Sequence, residues 1–304
     1  MDRRLLPAPL IGVLTVLAMF LWLMLWGGMI LLPLAILKIL LPAPPLRRAL
    51  GRALVWIAGV PWVRGNSAIY TLLHGRRSGY RLDPALDPRR SWLIVSNHQS
   101  WADILILFDA FGGRVPFPRF FLKKELIWVP LVGFICWALD MPFMKRHSRE
   151  AVAANPALKN QDLETTRRFC EKYKRQPITV VNFVEGTRSS PAKRLARQSP
   201  YQHLLRPKSA GLSFMLNAMG EQFAGLIDVT LVYQTTNQSK LWSFLCGEQH
   251  AVQLQARVLQ LPDTLLHGDY SDDADYRTRF QDWVNQLWAD KDLELARLRS
   301  ERSR

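Results

Sequence analysis

The chain has 304 residues and a formal net charge of +15, from 40 Lys and Arg against 25 Asp and Glu. That length suits one sizeable domain with appendages. A basic balance fits nucleic acid or an anionic membrane face, where each Lys or Arg near the surface contributes about 1 kcal/mol; no nucleic-acid recognition motif accompanies the charge, and the apolar pattern decides for the membrane.

No charged residue occurs from Leu5 to Leu37, a run longer than the ~20 residues of a spanning helix. It also exceeds the roughly 7–15 apolar residues of a cleaved signal peptide. The expectation is an uncleaved anchor: one helix over about Ala8 to Leu32, then an interfacial piece bent at Pro33, with a re-entrant hairpin around Gly27–Gly28 as the alternative. Arg3 and Arg4 precede the run, and Lys38, Arg47, Arg48 and Arg52 follow it. The denser positive charge on the C-terminal side places the bulk of the chain in the cytoplasm, and a compact chain with one anchor suggests a bacterial inner membrane. Cys136, Cys170 and Cys246 form neither a disulfide framework nor a metal-ligand spacing, so a reducing compartment and no metal are expected.

The stretch from Ala49 to Leu73 is apolar with sparse arginines and the tryptophans Trp56 and Trp62, as in segments lying at a membrane interface. The expected organisation is therefore an anchor over 1–48, an interfacial segment and linker over 49–90, and a catalytic domain over 91–304. Within the last, Trp92–Val95 reads as a buried strand and Ala102–Phe111 as a helix; Arg119–Lys123 and Met141–Met144 read as strands. Ala151–Lys174 is helical, interrupted at Asn155–Pro156, and Pro177–Phe183 is a β-branched buried strand. A basic surface loop is expected over Pro191–Pro200. Helix Gly211–Met219, strands Leu226–Tyr233 and Ala251–Leu261, and a polar helix over Asp273–Arg299 complete an α/β pattern.

Two strand ends carry candidate chemistry. After the first strand comes Asn97-His98-Gln99-Ser100-Trp101-Ala102-Asp103. In one continuous helix His98 and Asp103 would stand about 140° apart, so they meet only if His98 lies in the loop and Asp103 in the first helical turn. A carboxylate on Nδ1 fixes the imidazole tautomer and leaves Nε2 to take a proton. Ser100 and Asp103 also read as a helix-capping pair, which would explain the aspartate without chemistry. After the Pro177–Phe183 strand comes Phe183-Val184-Glu185-Gly186-Thr187-Arg188-Ser189, where glycine permits a tight turn and Arg188 can fork two donors to a phosphate; the alternative is a solvated turn with Arg188 paired to Glu185. No nucleophile elbow, Walker loop, dinucleotide fingerprint or zinc spacing occurs.

Taken in order, NHQSWAD, KKELIWVPLVG, MPFMKR and FVEGTRS resemble the four-block signature, including the His-x4-Asp motif, of the lysophospholipid/glycerolphosphate acyltransferases, the family that holds 1-acylglycerol-3-phosphate acyltransferase. The resemblance runs from about Trp92 to Arg299, and its later part looks most like the lysophosphatidate and lysocardiolipin acyltransferase branch. It implies a mixed sheet flanked by helices, with His98 as general base, Asp103 as its orienter, and Glu185, Gly186, Thr187 and Arg188 as the acceptor-phosphate block. Lys124 and Arg146 fall on further basic positions for the phosphate or the donor's anionic group. No cofactor is implied: acyl-CoA or an acyl carrier protein is co-substrate, the acceptor is a lysophospholipid, membrane phospholipids are partners, and groups near Asn97 stabilise the oxyanion. The chain departs from the family at Met144-Lys145-Arg146 and Phe183-Val184, which bears on the acceptor rather than the reaction. A non-catalytic anionic-lipid-binding protein on the same fold is the competing reading.

Overall fold

Every residue of Ser91–Ser96 is buried, as a strand covered on both faces requires. The computed structural model describes residues 6–75, 79–129, 131–144, 157–174, 176–233, 239–247, 252–270 and 272–301. Its strands are β1 (Tyr80–Arg81), β2 (Ser91–Ser96), β3 (Pro118–Phe120), β4 (Leu122–Lys123), β5 (Phe143–Met144), β6 (Thr179–Phe183), β7 (Phe223–Tyr233) and β8 (Val252–Leu259). Six of them form one sheet in the order β1-β8-β7-β2-β6-β3, while β4 and β5 pair separately. β2 runs parallel to both β6 and β7, β3 runs parallel to β6, and β8 is antiparallel to β7.

The two-residue period of a strand divides β2 between two cores. Leu93 and Val95 pack with Leu212 and Leu216 of helix Ser209–Met219 and with Phe280 and Val284 of the C-terminal helix Ala274–Ser300. Trp92 and Ile94 pack with Ile106 of helix Ala102–Phe111 and with Tyr70 of helix Val60–His74. This is the mixed α/β sheet, helices on both faces, that the sequence predicts.

Several elements depart from the sequence expectation. The strand over Arg119–Lys123 is divided between β3 and β4, because Leu122 leaves the main sheet to donate its N–H to the Pro142 carbonyl at 2.9 Å. The stretch expected as a loop over Pro191–Pro200 contains a helix, Pro191–Ala196: Ser190 Oγ accepts the Lys193 N–H at 3.3 Å, and Pro191 occupies the first turn, where its missing N–H costs nothing. Helix Ala157–Tyr173 lies inside the expected helical span; Asn155–Pro156 falls outside the described residues.

The N-terminal helix runs from Ala8 to Leu40, 33 residues containing an 18-residue window of mean hydropathy 2.3, long and apolar enough by length and composition to cross a membrane. The hairpin at Gly27–Gly28 is absent, and helical structure continues through Pro33. Met24–Leu31 is wound as a π-helix, with the Leu32 N–H reaching Gly27 O, and this wider register accommodates Pro33, which lacks an N–H. Ile135 fills the space that a Cβ on Gly27 would take. Helices Pro44–Leu54 and Val60–His74 follow, joined by the π turn Val55–Gly59. Trp22 Nε1 donates to Trp62 O at 3.1 Å, and Thr15 Oγ1 lies 2.8 Å from His74 Nε2. Gly65 faces the Trp22 ring so closely that a Cβ there would stand 2.1 Å from it. Trp56 and Leu72 project outward at 71% and 86% exposure. Tyr80–Arg81, within the 49–90 stretch read as interfacial segment and linker, adds an edge strand beside β8.

The C-terminal helix is tied to β7 by a buried cation. Lys291 is wholly buried and donates to Asp228 Oδ1 and to Val229 O (2.7 Å), while Arg257 donates to Asp228 Oδ2 at 2.8 Å. Removing one partner leaves the other charge buried, which costs about 3–5 kcal/mol, whereas replacing both by apolar residues costs much less. Chemical denaturation in detergent is therefore expected to show a loss of that size for Asp228→Ala and a clearly smaller one for the double variant Asp228→Leu/Lys291→Met.

Candidate active site

β2 and β6 are parallel neighbours, with Ser96 opposite Phe183. Their following loops therefore leave the same end of the sheet side by side, as in other open α/β sheets whose strand ends hold the functional groups. The loop after β2 carries His98 and the loop after β6 carries Glu185, Gly186, Thr187 and Arg188.

Asp103 lies in the first turn of helix Ala102–Phe111 and is completely buried. Its Oδ2 accepts from the Gln99 N–H at 2.6 Å and the Ser100 N–H at 2.9 Å, and lies 2.8 Å from His98 Nδ1. Its Oδ1 accepts the Tyr233 hydroxyl at 2.5 Å. Ser100 Oγ in turn accepts the Ala102 N–H at 3.2 Å. Capping and histidine orientation are thus one arrangement performed by one carboxylate. The His98 ring stacks on Phe183, centroids 4.0 Å apart, which fixes its plane. With Nδ1 on Asp103, Nε2 is the nitrogen left to exchange a proton with a bound hydroxyl.

Glu185 is buried as completely as Asp103. Its Oε1 accepts the His98 N–H and its Oε2 the Leu205 N–H, both at 2.9 Å, so it braces the histidine loop from the neighbouring strand rather than pairing with Arg188. Gly186, at φ 67°, takes the left-handed turn that glycine favours, with the Lys208 side chain alongside. Lys193 Nζ donates to Thr187 Oγ1 at 3.1 Å and to Arg188 O at 3.0 Å. Arg188 is exposed, and its guanidinium lies over the Trp101 ring at 4.9 Å. One turn thus gathers the cations Arg188, Lys193 and Lys208 beside the His98 loop.

Other expected residues stand differently. Lys124 is exposed at the head of the turn Lys124–Trp128 and takes part in none of the hydrogen bonds that build the dyad among the described residues. Arg146 lies outside the described residues. Asn97, expected near the oxyanion, is buried and engaged on β7: its Nδ2 donates to Leu231 O at 2.9 Å and its Oδ1 accepts the Leu231 N–H at 2.8 Å. Two residues of the surroundings, Tyr233 and Lys240, carry no local motif signal, and Gln99, inside the first block, has no role assigned from the sequence. Gln99 Nε2 donates to Leu231 O, and its Oε1 accepts Lys240 Nζ at 2.5 Å. Burial lowers Lys240 to about 8, against the attraction of Asp103 and Glu185.

This geometry is a histidine–carboxylate pair at a sheet end beside a basic turn. The chain belongs to the Acyltransferase family, whose model matches residues 79–234. It is 23% identical to the 2-acyl-1-lysophosphatidylinositol acyltransferase of Saccharomyces cerevisiae, over 67% of this chain and 60% of that one. To the human 1-acyl-sn-glycerol-3-phosphate acyltransferase delta it is 25% identical, over 66% of this chain and 51% of the relative. It thus spans between half and two thirds of those proteins' length. The crystal structure of the 1-acyl-sn-glycerophosphate acyltransferase PlsC from Thermotoga maritima aligns with a TM-score of 0.49 at 16% identity, covering 92% of this chain and 96% of that one.

Burial pushes Glu185 up to about 7 from its ordinary 4.5, against the two amide donors that favour the charged form. The folded state therefore holds a proton that the unfolded chain loses above about 4.5. The stability contributed is fully present below that pH and is lost as pH rises through about 7, a drop of about 3 kcal/mol. Unfolding free energies across pH 4–8 are expected to show this component in the wild type and to lack it in Glu185→Gln; parallel curves would contradict the assignment.

Proposed function

We propose that the chain is an O-acyltransferase that moves a fatty acyl group from acyl-CoA or an acyl carrier protein to the free hydroxyl of a lysophospholipid, 1-acyl-sn-glycerol-3-phosphate foremost, at the membrane surface. The observation that carries this reading is the contact between His98 Nδ1 and the buried Asp103 carboxylate at 2.8 Å. Its setting, beside the Gly186 turn with Arg188 exposed on Trp101, suits an acceptor that carries a phosphate. The family match and the relatives' lysophospholipid substrates support the same class of reaction.

In the proposed reaction the acceptor hydroxyl gives its proton to His98 Nε2 as its oxygen attacks the thioester carbonyl. The resulting imidazolium is stabilised by Asp103. Collapse of the tetrahedral adduct breaks the C–S bond, and the departing sulfur takes the proton back from Nε2, leaving an ester, a free thiol and the original base. General-base catalysis supplies about 10²–10⁴ in rate; the remainder comes from holding hydroxyl and thioester together. The apolar helix Ala8–Leu40 would serve this by anchoring the site at the bilayer that holds the acceptor. The distribution of basic residues supports placing the catalytic domain on the cytoplasmic face, and a compact chain with one anchor supports a bacterial inner membrane.

Transfer from labelled acyl-CoA and acyl carrier protein to a panel of lysophospholipids tests the proposal. His98→Ala is expected to abolish transfer while leaving the protein folded and inserted. Arg188→Ala is expected to raise KM for phosphate-bearing acceptors about ten- to hundredfold, the worth of one charge-assisted contact, with kcat little changed. Full activity in His98→Ala would sink the reading, and saturable lipid binding without turnover would favour a binding protein on the same fold.

A further inference from the structure

The sheet end opposite His98 holds a second feature. Pro88, Pro118 and Pro177, which precede or open β2, β3 and β6, line a cavity of about 640 Å³. Because those strands are parallel and His98 follows the far end of β2, the cavity lies about 20 Å from the dyad, one strand length at roughly 3.3 Å per residue. Its walls are largely apolar: Val55, Val60 and Val63 from the interfacial helices face Phe108 and Phe117 from the domain. Its volume falls in the range of small-molecule sites, about 300–1,000 Å³.

At Arg52, Arg119 and Gln176 this cavity meets a smaller chamber of about 220 Å³. Among the described residues, six cations line the chamber, Lys38, Arg47, Arg48, Arg52, Arg119 and Lys172, against one carboxylate, Asp140. Asp140 is taken by Lys38 at 3.1 Å and Lys172 at 2.7 Å. Arg119 is the informative residue. It is 7% exposed, its buried Nε has no hydrogen-bond partner, its Nη1 meets the Phe117 carbonyl only at 3.4 Å, and its guanidinium lies 4.5 Å over the ring of Tyr173, whose hydroxyl is hydrogen-bonded to Arg119 and to Asp140. Among the described residues no carboxylate forms an ion pair with it. A buried cation in that position is costly unless an anion joins it.

A polar, positively charged chamber opening into an apolar slot matches an anionic amphiphile. The slot lies beneath the interfacial helices, next to the outward-facing Trp56, so a membrane lipid is its nearest source. We infer that this is a binding site for an intact anionic phospholipid, distinct from the catalytic site, with the phosphate at Arg119 and Arg52 and an acyl chain in the cavity. Such a lipid would bridge helices Pro44–Leu54 and Val60–His74 to the amino end of the sheet.

Native mass spectrometry of the full chain in detergent, titrated with phosphatidylglycerol or phosphatidylcholine of identical chains, tests the inference. One phosphatidylglycerol is expected to bind at least tenfold more tightly than phosphatidylcholine. Arg119→Gln and Arg52→Gln should each weaken it at least tenfold, while His98→Ala leaves it unchanged. Arg52 is exposed, so its variant remains informative if Arg119→Gln fails to fold. Equal affinity for the two lipids would overturn the inference, as would loss of binding in His98→Ala with retention in both arginine variants. Glycerol 3-phosphate binding as tightly as the lipid would overturn it in favour of a soluble phosphate ester.

Discussion

The site rests on one buried carboxylate. Asp103 is excluded from water and must have its charge satisfied by donors. Two backbone N–H groups, the Tyr233 hydroxyl and the His98 ring surround it, so the loop from His98 to Ser100 can close around it in few ways. A carboxylate that terminates a helix and one that orients a histidine are usually separate devices. Here a single oxygen serves both, and the position of the imidazole is inherited from the helix start itself.

The second loop is held to the first through Glu185. Because β2 and β6 are parallel and adjacent, a residue two beyond the end of β6 reaches the backbone two beyond the end of β2, and Glu185 does so with one oxygen while securing Leu205 with the other. The basic turn at Gly186–Arg188 is therefore in fixed register with the histidine loop. β7 supplies the third side: Leu231 grips Asn97, and Tyr233 completes Asp103. Lys291, neutralised by Asp228, fastens the C-terminal helix to that same strand, so packing remote from the dyad is linked to it through β7.

Much of this was legible in the residues. Strands ending at Val95, one residue short of the observed Ser96, and at Phe183 follow from apolar runs, and the spacing of His98 and Asp103 admits contact only across a loop-to-helix boundary, which is where they lie. The parts that were not legible depend on long-range pairing. Nothing local marks Tyr233 as a partner of Asp103, since the two are 130 positions apart, nor Asn97 as a clamp on β7. The resemblance places Glu185 in the acceptor-phosphate block, and nothing local foretells that it is buried and braces the histidine loop. Pro33 and the Gly27–Gly28 pair look like breaks in the apolar run, but a π turn and the packing of Ile135 carry the helix through them.

The apolar helix Ala8–Leu40 and the helices Pro44–Leu54 and Val60–His74 pack against the domain, while the dyad is built from the strand ends and the start of helix Ala102–Phe111. The most direct test of this account is the rate of acyl transfer by Asp103→Asn, compared with wild type and His98→Ala under identical donor and lysophosphatidic acid, in protein that still unfolds cooperatively. If Asp103 sets the tautomer and position of His98, the rate falls by about 10²–10⁴, close to that of His98→Ala although the histidine is intact. A near-wild-type rate in Asp103→Asn would show that the carboxylate only caps the helix, and would contradict the account.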